Sequence, residues 1–272
     1  MNINIKINSA LNNIDESILP RLKQEIKKLN NKYIDEKDKV AYYYKDIKTG
    51  SILSYNDNIL FYAASAIKVL VCVLLLEDAE NKKLDLNKKI LVSMNDLKQG
   101  TGIIKDQSKD TYYSIQELIE HTIVESDNTA YIKLVNFVGK EKLIAYGRSL
   151  GAIHTLEGKD LFGLINCSDM LIYWEKIYNF IHSSKKYGPI FYKYLSNPIF
   201  SIVDSKNIGN NNYIKKYGSF GIAYHEAGYV EDENPFYLII LTQKNERKNK
   251  KEFVNETARR IYKIHKLIHK KS

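Results

Sequence analysis

Apolar and polar residues alternate near the two ends of this chain but not in its middle, and that separation constrains its fold more than any other feature. Residues 40–47, rich in the strand former tyrosine, run into Asp46-Ile-Lys-Thr-Gly50, a turn signal, and residues 51–55 read as the returning strand of a hairpin. Far downstream, residues 213–217, 220–230 and 236–242 follow a period of two and read as three consecutive antiparallel strands. Two helical stripes flank these runs. One lies in residues 16–30, with Ile18, Leu22, Ile26 and Leu29; the other lies in residues 250–269, with Phe253, Ala258, Ile261, Ile264 and Ile268. The basic face of the second helix would suit a membrane surface, but the sheet needs a cover for its apolar face. The expected fold is therefore α/β (α+β): an antiparallel sheet flanked by terminal helices, with an inserted all-α lobe. The expected domains are 1–60 plus 200–272 for the sheet and 61–199 for the lobe, with the active site in the cleft between them.

The middle of the chain reads as helices. An apolar run makes residues 65–80 a core helix, and residues 84–92 are short and extended. Residues 95–110 form a polar, glycine-containing loop. Ser114-Ile-Gln-Glu117 is a capping box that opens a helix over 115–122. Ser126-Asp-Asn128 starts another over 127–138, ended by Gly139, and residues 140–150 form a short helix closed by Gly151. Residues 152–167 lack a period and read as a loop. Ser168 is expected to cap a helix to His182, with Met170, Leu171, Trp174, Ile177 and Tyr178 on its buried side. A further helix spans 189–195, and residues 207–212 are a turn-rich break.

Composition narrows the partners. The net charge of +9 would suit a polyanion, but the lysines are scattered among Asn, Ile and Tyr, and there is no zinc finger, RNA-binding aromatic motif or phosphate-cradling loop. No nucleic acid is expected. The two cysteines, Cys72 and Cys167, cannot make a disulfide framework and have no metal-ligand spacing. No apolar run is long enough to span a bilayer, so no integral membrane span is expected. Residues 1–10 lack the apolar core of a signal peptide. The chain as given thus reads as cytoplasmic, and as extracytoplasmic if a further N-terminal segment precedes it. Neither cofactor nor metal is called for, and a monomer is the expectation.

Three short motifs carry chemistry. Ser65 and Lys68 stand three apart at the head of the apolar run, which puts a hydroxyl and an amine on one helix face. A serine needs a neighbouring base to act as a nucleophile, and burial favours the neutral, basic form of a lysine. Ser126-Asp127-Asn128 offers a hydroxyl that can relay a proton to a leaving nitrogen and an amide that can bind an amide substrate; its plainer reading is a helix cap. Lys216-Tyr217-Gly218 places a cation on the first of the three late strands, with a glycine that lets backbone approach closely; the plainer reading is an edge-strand lysine. Lys48-Thr49-Gly50 is a decoy in the hairpin turn, where a lysine points to solvent.

S-x-x-K, S-D-N and K-x-G in this order, on helix, helix and strand, resemble the class A β-lactamases among the penicillin-recognising serine hydrolases, over nearly the whole chain. The resemblance implies a β-lactamase/penicillin-binding-protein-like fold and a small-molecule substrate, a β-lactam or peptide-like amide or ester. It implies Ser65 as the acylated nucleophile, Lys68 as its base and Ser126 as the proton shuttle. Asn128, Lys216 and Gly218 would bind substrate, and the backbone N–H groups of Ser65 and Ser219 would form the oxyanion hole. Asp127 would brace its helix. Tyr217 stands where the family usually has Thr or Ser. The family also carries a glutamate, in an E-x-x-L-N stretch, that activates the water of deacylation. The loop from His154 to Cys167 has no such glutamate; its carboxylates are Glu157 and Asp160, either of which could be recruited or be a solvated loop residue. Impaired deacylation is thus expected, and a penicillin-binding or sensor module without turnover is the alternative.

Overall fold

A computed structural model describes residues 3–6, 18–35, 38–244 and 247–269. In its first third the elements are β1 (Ile3–Lys6), α1 (Ile18–Tyr33), β2 (Lys39–Asp46), β3 (Ile52–Tyr55), β4 (Phe61–Tyr62) and α2 (Lys68–Glu80). Then come β5 (Lys89–Val92), β6 (Thr111–Ser114), α3 (Ile115–Ile123), α4 (Asn128–Val138), α5 (Lys140–Ser149) and β7 (Leu164–Ile165). The last are α6 (Cys167–Ser183), α7 (Gly188–Ser196), β8 (Asn212–Phe220), β9 (Ala223–Glu231), β10 (Phe236–Gln243) and α8 (Arg247–Ile268). The chain divides into two compact units: residues 1–61, 166–171 and 201–272, and residues 62–165 and 172–200.

The first unit is built on a six-stranded sheet in the order β1-β3-β2-β10-β9-β8, with antiparallel pairing throughout. The early hairpin and the three late strands therefore share one sheet, as their period predicts, and β10 is the strand that joins them, pairing Phe236 with Asp46 and Gln243 with Lys39. Alternation sends Tyr42 and Tyr44 of β2 into the core, where Tyr42 stacks on Tyr55 with ring centroids 5.2 Å apart. Leu22, Ile26 and Leu29 of α1 and Phe253, Ala258, Ile261, Ile264 and Ile268 of α8 complete that core, so both terminal helices cover the sheet. Glu16 and the Ile18 side chain, part of the expected first stripe, lie outside the described residues. Two strand boundaries differ from expectation. The edge strand β1 is additional, and β8 runs unbroken to Phe220, so the turn falls at Gly221-Ile222 and places Gly218 and Ser219 inside a strand.

The second unit is helical and centres on α2. Val69–Leu76 are all buried, the pattern of a helix surrounded by others, and α3, α4 and α5 pack around it. Ser114 and Glu117 form the expected capping box at α3. The loop expected over 95–110 contains two short 3₁₀ turns, and beyond it Thr111–Ser114 pairs with Lys89–Val92 as a small ribbon. Among the described residues no helix is long and apolar enough to cross a membrane.

One cap differs from expectation. Asn166, not Ser168, caps α6: its Oδ1 accepts the Asp169 N–H at 2.7 Å, and the helix begins at Cys167.

Candidate active site

Ser65 does not sit on an α-helix. It lies in a single 3₁₀ turn, Ala64–Ile67, that leads into α2, and the Lys68 N–H donates to the Ser65 carbonyl. The 3₁₀ twist eclipses positions i and i+3, so Ser65 and Lys68 project from the same side more directly than on an α-helix. The turn is entered through Ala64 at φ +47°, a left-handed conformation that alanine adopts only under strain. Ser65 is 6% exposed and Lys68 is fully buried.

The Lys68 amine is surrounded by oxygen acceptors and aromatic rings. Its Nζ donates to the Ser126 carbonyl and, at 2.8 Å, to Asn128 Oδ1, and it lies 3.4 Å from Ser126 Oγ. The Tyr131 and Phe162 ring centroids are 5.6 and 5.7 Å from the same nitrogen, within range of a cation–π contact. Lys68, Ser126 and Asn128, far apart in sequence, thus meet, with Ser65 one turn away. Ser126 is also left-handed, at φ +56°, and its carbonyl accepts a second bond, from Thr101 Oγ1 at 2.7 Å. Two strained non-glycine residues in one site are the pattern of a functional constraint.

Asp127 has the bracing role expected of it. Oδ1 accepts the Ala130 N–H at 2.9 Å and caps α4, while Oδ2 accepts the Ile104 N–H at 2.8 Å. The loop before it is clamped again where Asn128 Nδ2 donates to Gln99 O and Asn128 N–H to Thr101 O. Gly102, at φ +114°, passes so close that a Cβ would fall 2.0 Å from Asp127 Oδ2. Asp127→Ala should therefore cost about 2–4 kcal/mol, the sum of a lost cap and a stranded buried N–H. Asp127→Asn, which keeps one acceptor, should cost less. Urea unfolding measures both, and a loss below ~0.5 kcal/mol for the alanine variant would show that the loop is held by other contacts.

The third motif lies in the first unit, on β8. Lys216, Gly218 and Ser219 pair in register with Ala227, His225 and Tyr224. Lys216 is 1% exposed, and its Nζ donates to Tyr217 O at 3.1 Å. The Tyr217 ring meets Tyr224 edge-on, with centroids 6.0 Å apart. Opposite Tyr217, Glu226 is buried and accepts the N–H groups of Ile202 and Val203; burial pushes its carboxyl up, against the pull of Lys215 and those two donors. Lys48, the decoy, is exposed in its turn and donates to Glu233 O and Asn234 Oδ1.

In the loop, Glu157 is exposed (56% of its side chain) and pairs with His154 Nδ1 at 2.6 Å. Asp160 is engaged at both oxygens. Oδ1 accepts the Phe162 and Gly163 N–H groups at 2.9 Å, and Oδ2 accepts the Tyr62 hydroxyl at 3.0 Å. Burial, then the bond to Asp160, pushes the Tyr62 phenol up. The residue that reaches Lys68 from this loop is Phe162, a position that sequence reasoning passed over. Phe162-Gly-Leu-Ile165-Asn166 keeps the spacing of E-x-x-L-N with phenylalanine in the glutamate's place. The buried Asn166 that caps α6 was the available signal. Gly163 O accepts the Ala63 N–H, and Leu161 O accepts the Tyr131 hydroxyl at 2.6 Å, which fixes the loop beside the 3₁₀ turn and α4. Burial holds that Tyr131 phenol neutral by pushing it far up. Thr101, Tyr131 and Phe162 are the parts of the site that the motifs alone do not reveal.

A family model described as the β-lactamase enzyme family matches residues 21–265. The chain belongs to that family. Its fold is shared by solved β-lactamase and penicillin-binding structures. A PBP-A mutant, in acyl-enzyme complex with penicillin G, is 18% identical over 91% of this chain and 97% of its own, with a TM-score of 0.82. A β-lactamase from Sphaerobacter thermophilus is 16% identical over 93% and 99%, at 0.80. The TLA-1 extended-spectrum β-lactamase is 18% identical over 92% and 99%, at 0.79. No curated protein matches the chain. Against the E-x-x-L-N stretch expected from the class A resemblance, Phe162 is the departure with the most direct chemical meaning.

Proposed function

We propose that this β-lactamase-family chain is a serine acyl-enzyme that captures β-lactams or related amides and esters and releases them slowly. The observation that carries the reading is the meeting of Lys68 with Ser126 and Asn128 one turn from Ser65. Ser65 Oγ adds to the carbonyl carbon and passes its proton to the Lys68 amine. In this reading the backbone N–H of Ser65 itself is one donor to the oxyanion that develops on the carbonyl. As the C–N bond breaks, Ser126 gives its proton to the leaving nitrogen and recovers one from Lys68. The product is an ester at Ser65. Asn128 already accepts from Lys68 and donates to Gln99, so its first duty in this scheme is to hold that amine in place.

Release needs water and a second base. Phe162 supplies none, and Glu157 and Asp160 are engaged elsewhere, so we assign deacylation to neither. The PBP-A mutant, solved as an acyl-enzyme complex with penicillin G, supports the acylation half of this reading. If it halts fully, the chain is a penicillin-binding or sensor module, a reading that Phe162 favours. Incubation with fluorescent penicillin should label the protein to one equivalent, with an adduct that persists while free drug is removed. Rapid multiple turnover with no adduct in the intact mass spectrum would refute slow release.

A further inference from the structure

A second cluster of reactive groups lies in the first unit, and the serine chemistry makes no use of it. Its centre is His265, fully buried on α8. His269 follows four residues later, just past the helix end, and its N–H still donates to His265 O, so the two rings share one face with centroids 4.8 Å apart. Asp46, buried at the end of β2, completes the group. Its Oδ1 is taken by the Thr49 N–H at 2.7 Å. That leaves Oδ2 facing His269 Nε2 at 2.5 Å and His265 Nδ1 at 3.7 Å. One donor atom from each residue lies within 4.8 Å of the others.

We propose that His265, His269 and Asp46 bind a divalent transition metal ion of the Zn²⁺ type, clipping the last turn of α8 to β2. Two imidazoles and a carboxylate suit such an ion, whose remaining position water can fill. A second, independent observation concerns the other side of the His265 ring. Nε2 is buried with no hydrogen-bond partner, and Asp232 Oδ1 stands 3.6 Å away. Metal at Nδ1 fixes the ring proton on Nε2, where Asp232 is placed to accept it, the usual arrangement for a ligating histidine. Asp232 is itself oriented, accepting from Tyr262 and Lys266 at 3.1 Å. Tyr44 Oη, now 2.9 Å from Nδ1, would yield that nitrogen to the ion and turn its O–H to Asp46, 3.4 Å away.

The test titrates EDTA-treated full-length protein with Zn²⁺ by calorimetry and with Co²⁺ by visible spectroscopy. One equivalent of Zn²⁺ should bind and raise the unfolding midpoint by mass action, and Co²⁺ should give the d–d bands of a low-symmetry N/O site. His269→Gln, at the partly exposed end of the helix, should weaken binding by at least ~10–100-fold, and Asp232→Asn by ~10–100-fold through loss of ligand orientation. Far-ultraviolet circular dichroism checks that each variant is folded. If one fails to fold, the other decides, together with the wild-type Co²⁺ spectrum. The absence of stoichiometric binding by the wild type overturns the assignment, and so does binding that folded His269→Gln retains at full strength.

Discussion

Ser65→Ala protein should acquire no covalent adduct from penicillin, whatever the concentration or time of exposure. The expectation follows from the chemistry: the proposed ester forms through the Ser65 hydroxyl, and alanine offers none. The substitution removes one oxygen from a buried turn and leaves the Lys68 N–H bond to the residue 65 carbonyl intact, so the fold should survive. Non-covalent binding should survive too, because the lysine and asparagine contacts are independent of Oγ. Intact-protein mass spectrometry reads the result directly. An adduct of unchanged mass on the alanine variant would place the nucleophile on another residue, and the roles given to Lys68 and Ser126 would fall with it.

Phe162→Glu should act on the opposite half of the cycle. The Phe162 ring is half-buried and centred 5.7 Å from Lys68 Nζ, so a glutamate there can turn its carboxylate toward the amine and keep contact with water. A positioned general base contributes ~10²–10⁴-fold, and the lifetime of the acyl-enzyme should shorten by that factor while the rate of labelling changes little. Phe162→Gln, of the same shape but without a base, should stay slow. Decay of the pre-formed adduct, followed after excess drug is removed, separates the two variants. If both decay at the wild-type rate, the slow step lies elsewhere than in the missing carboxylate.

Of the late strands, β8 alternates between buried and partly exposed residues and so leaves a period of two, whereas β10 is buried on both faces and was readable as a short apolar run between turn signals. The α8 stripe was readable because one side of that helix, from Phe253 to Ile268, had to face something apolar. Features without a local signature were not. β1 is four residues whose only claim to be a strand is its pairing with Ile52–Tyr55. The 3₁₀ turn at Ala64–Ile67 depends on a left-handed alanine, which no composition rule announces. In the site, the motifs pointed to Lys68, Ser126 and Asn128 but not to Thr101, Tyr131 or Phe162, because a search for a carboxylate cannot find an aromatic ring. Asn166, five places along the E-x-x-L-N frame, was the legible clue, and it was hidden by its second duty as a helix cap.

The position of β10 has a consequence for synthesis. It is the strand that connects the early hairpin to the late one, with Phe236 against Asp46 and Gln243 against Lys39. A chain emerging N-terminus first at ~5–20 residues per second makes the β2–β3 hairpin within its opening seconds and then has no strand for the β2 edge until residue 236 is out. Throughout that interval the free edge of β2, with Tyr42 and Tyr44 beneath it, is an open template for another strand. The helices around α2, whose contacts are nearer in sequence, can gather meanwhile, but loop-closure entropy makes the final joining the slow event. Nascent chains stalled before β10 should therefore be the form that holdase chaperones bind and that aggregates when they are absent.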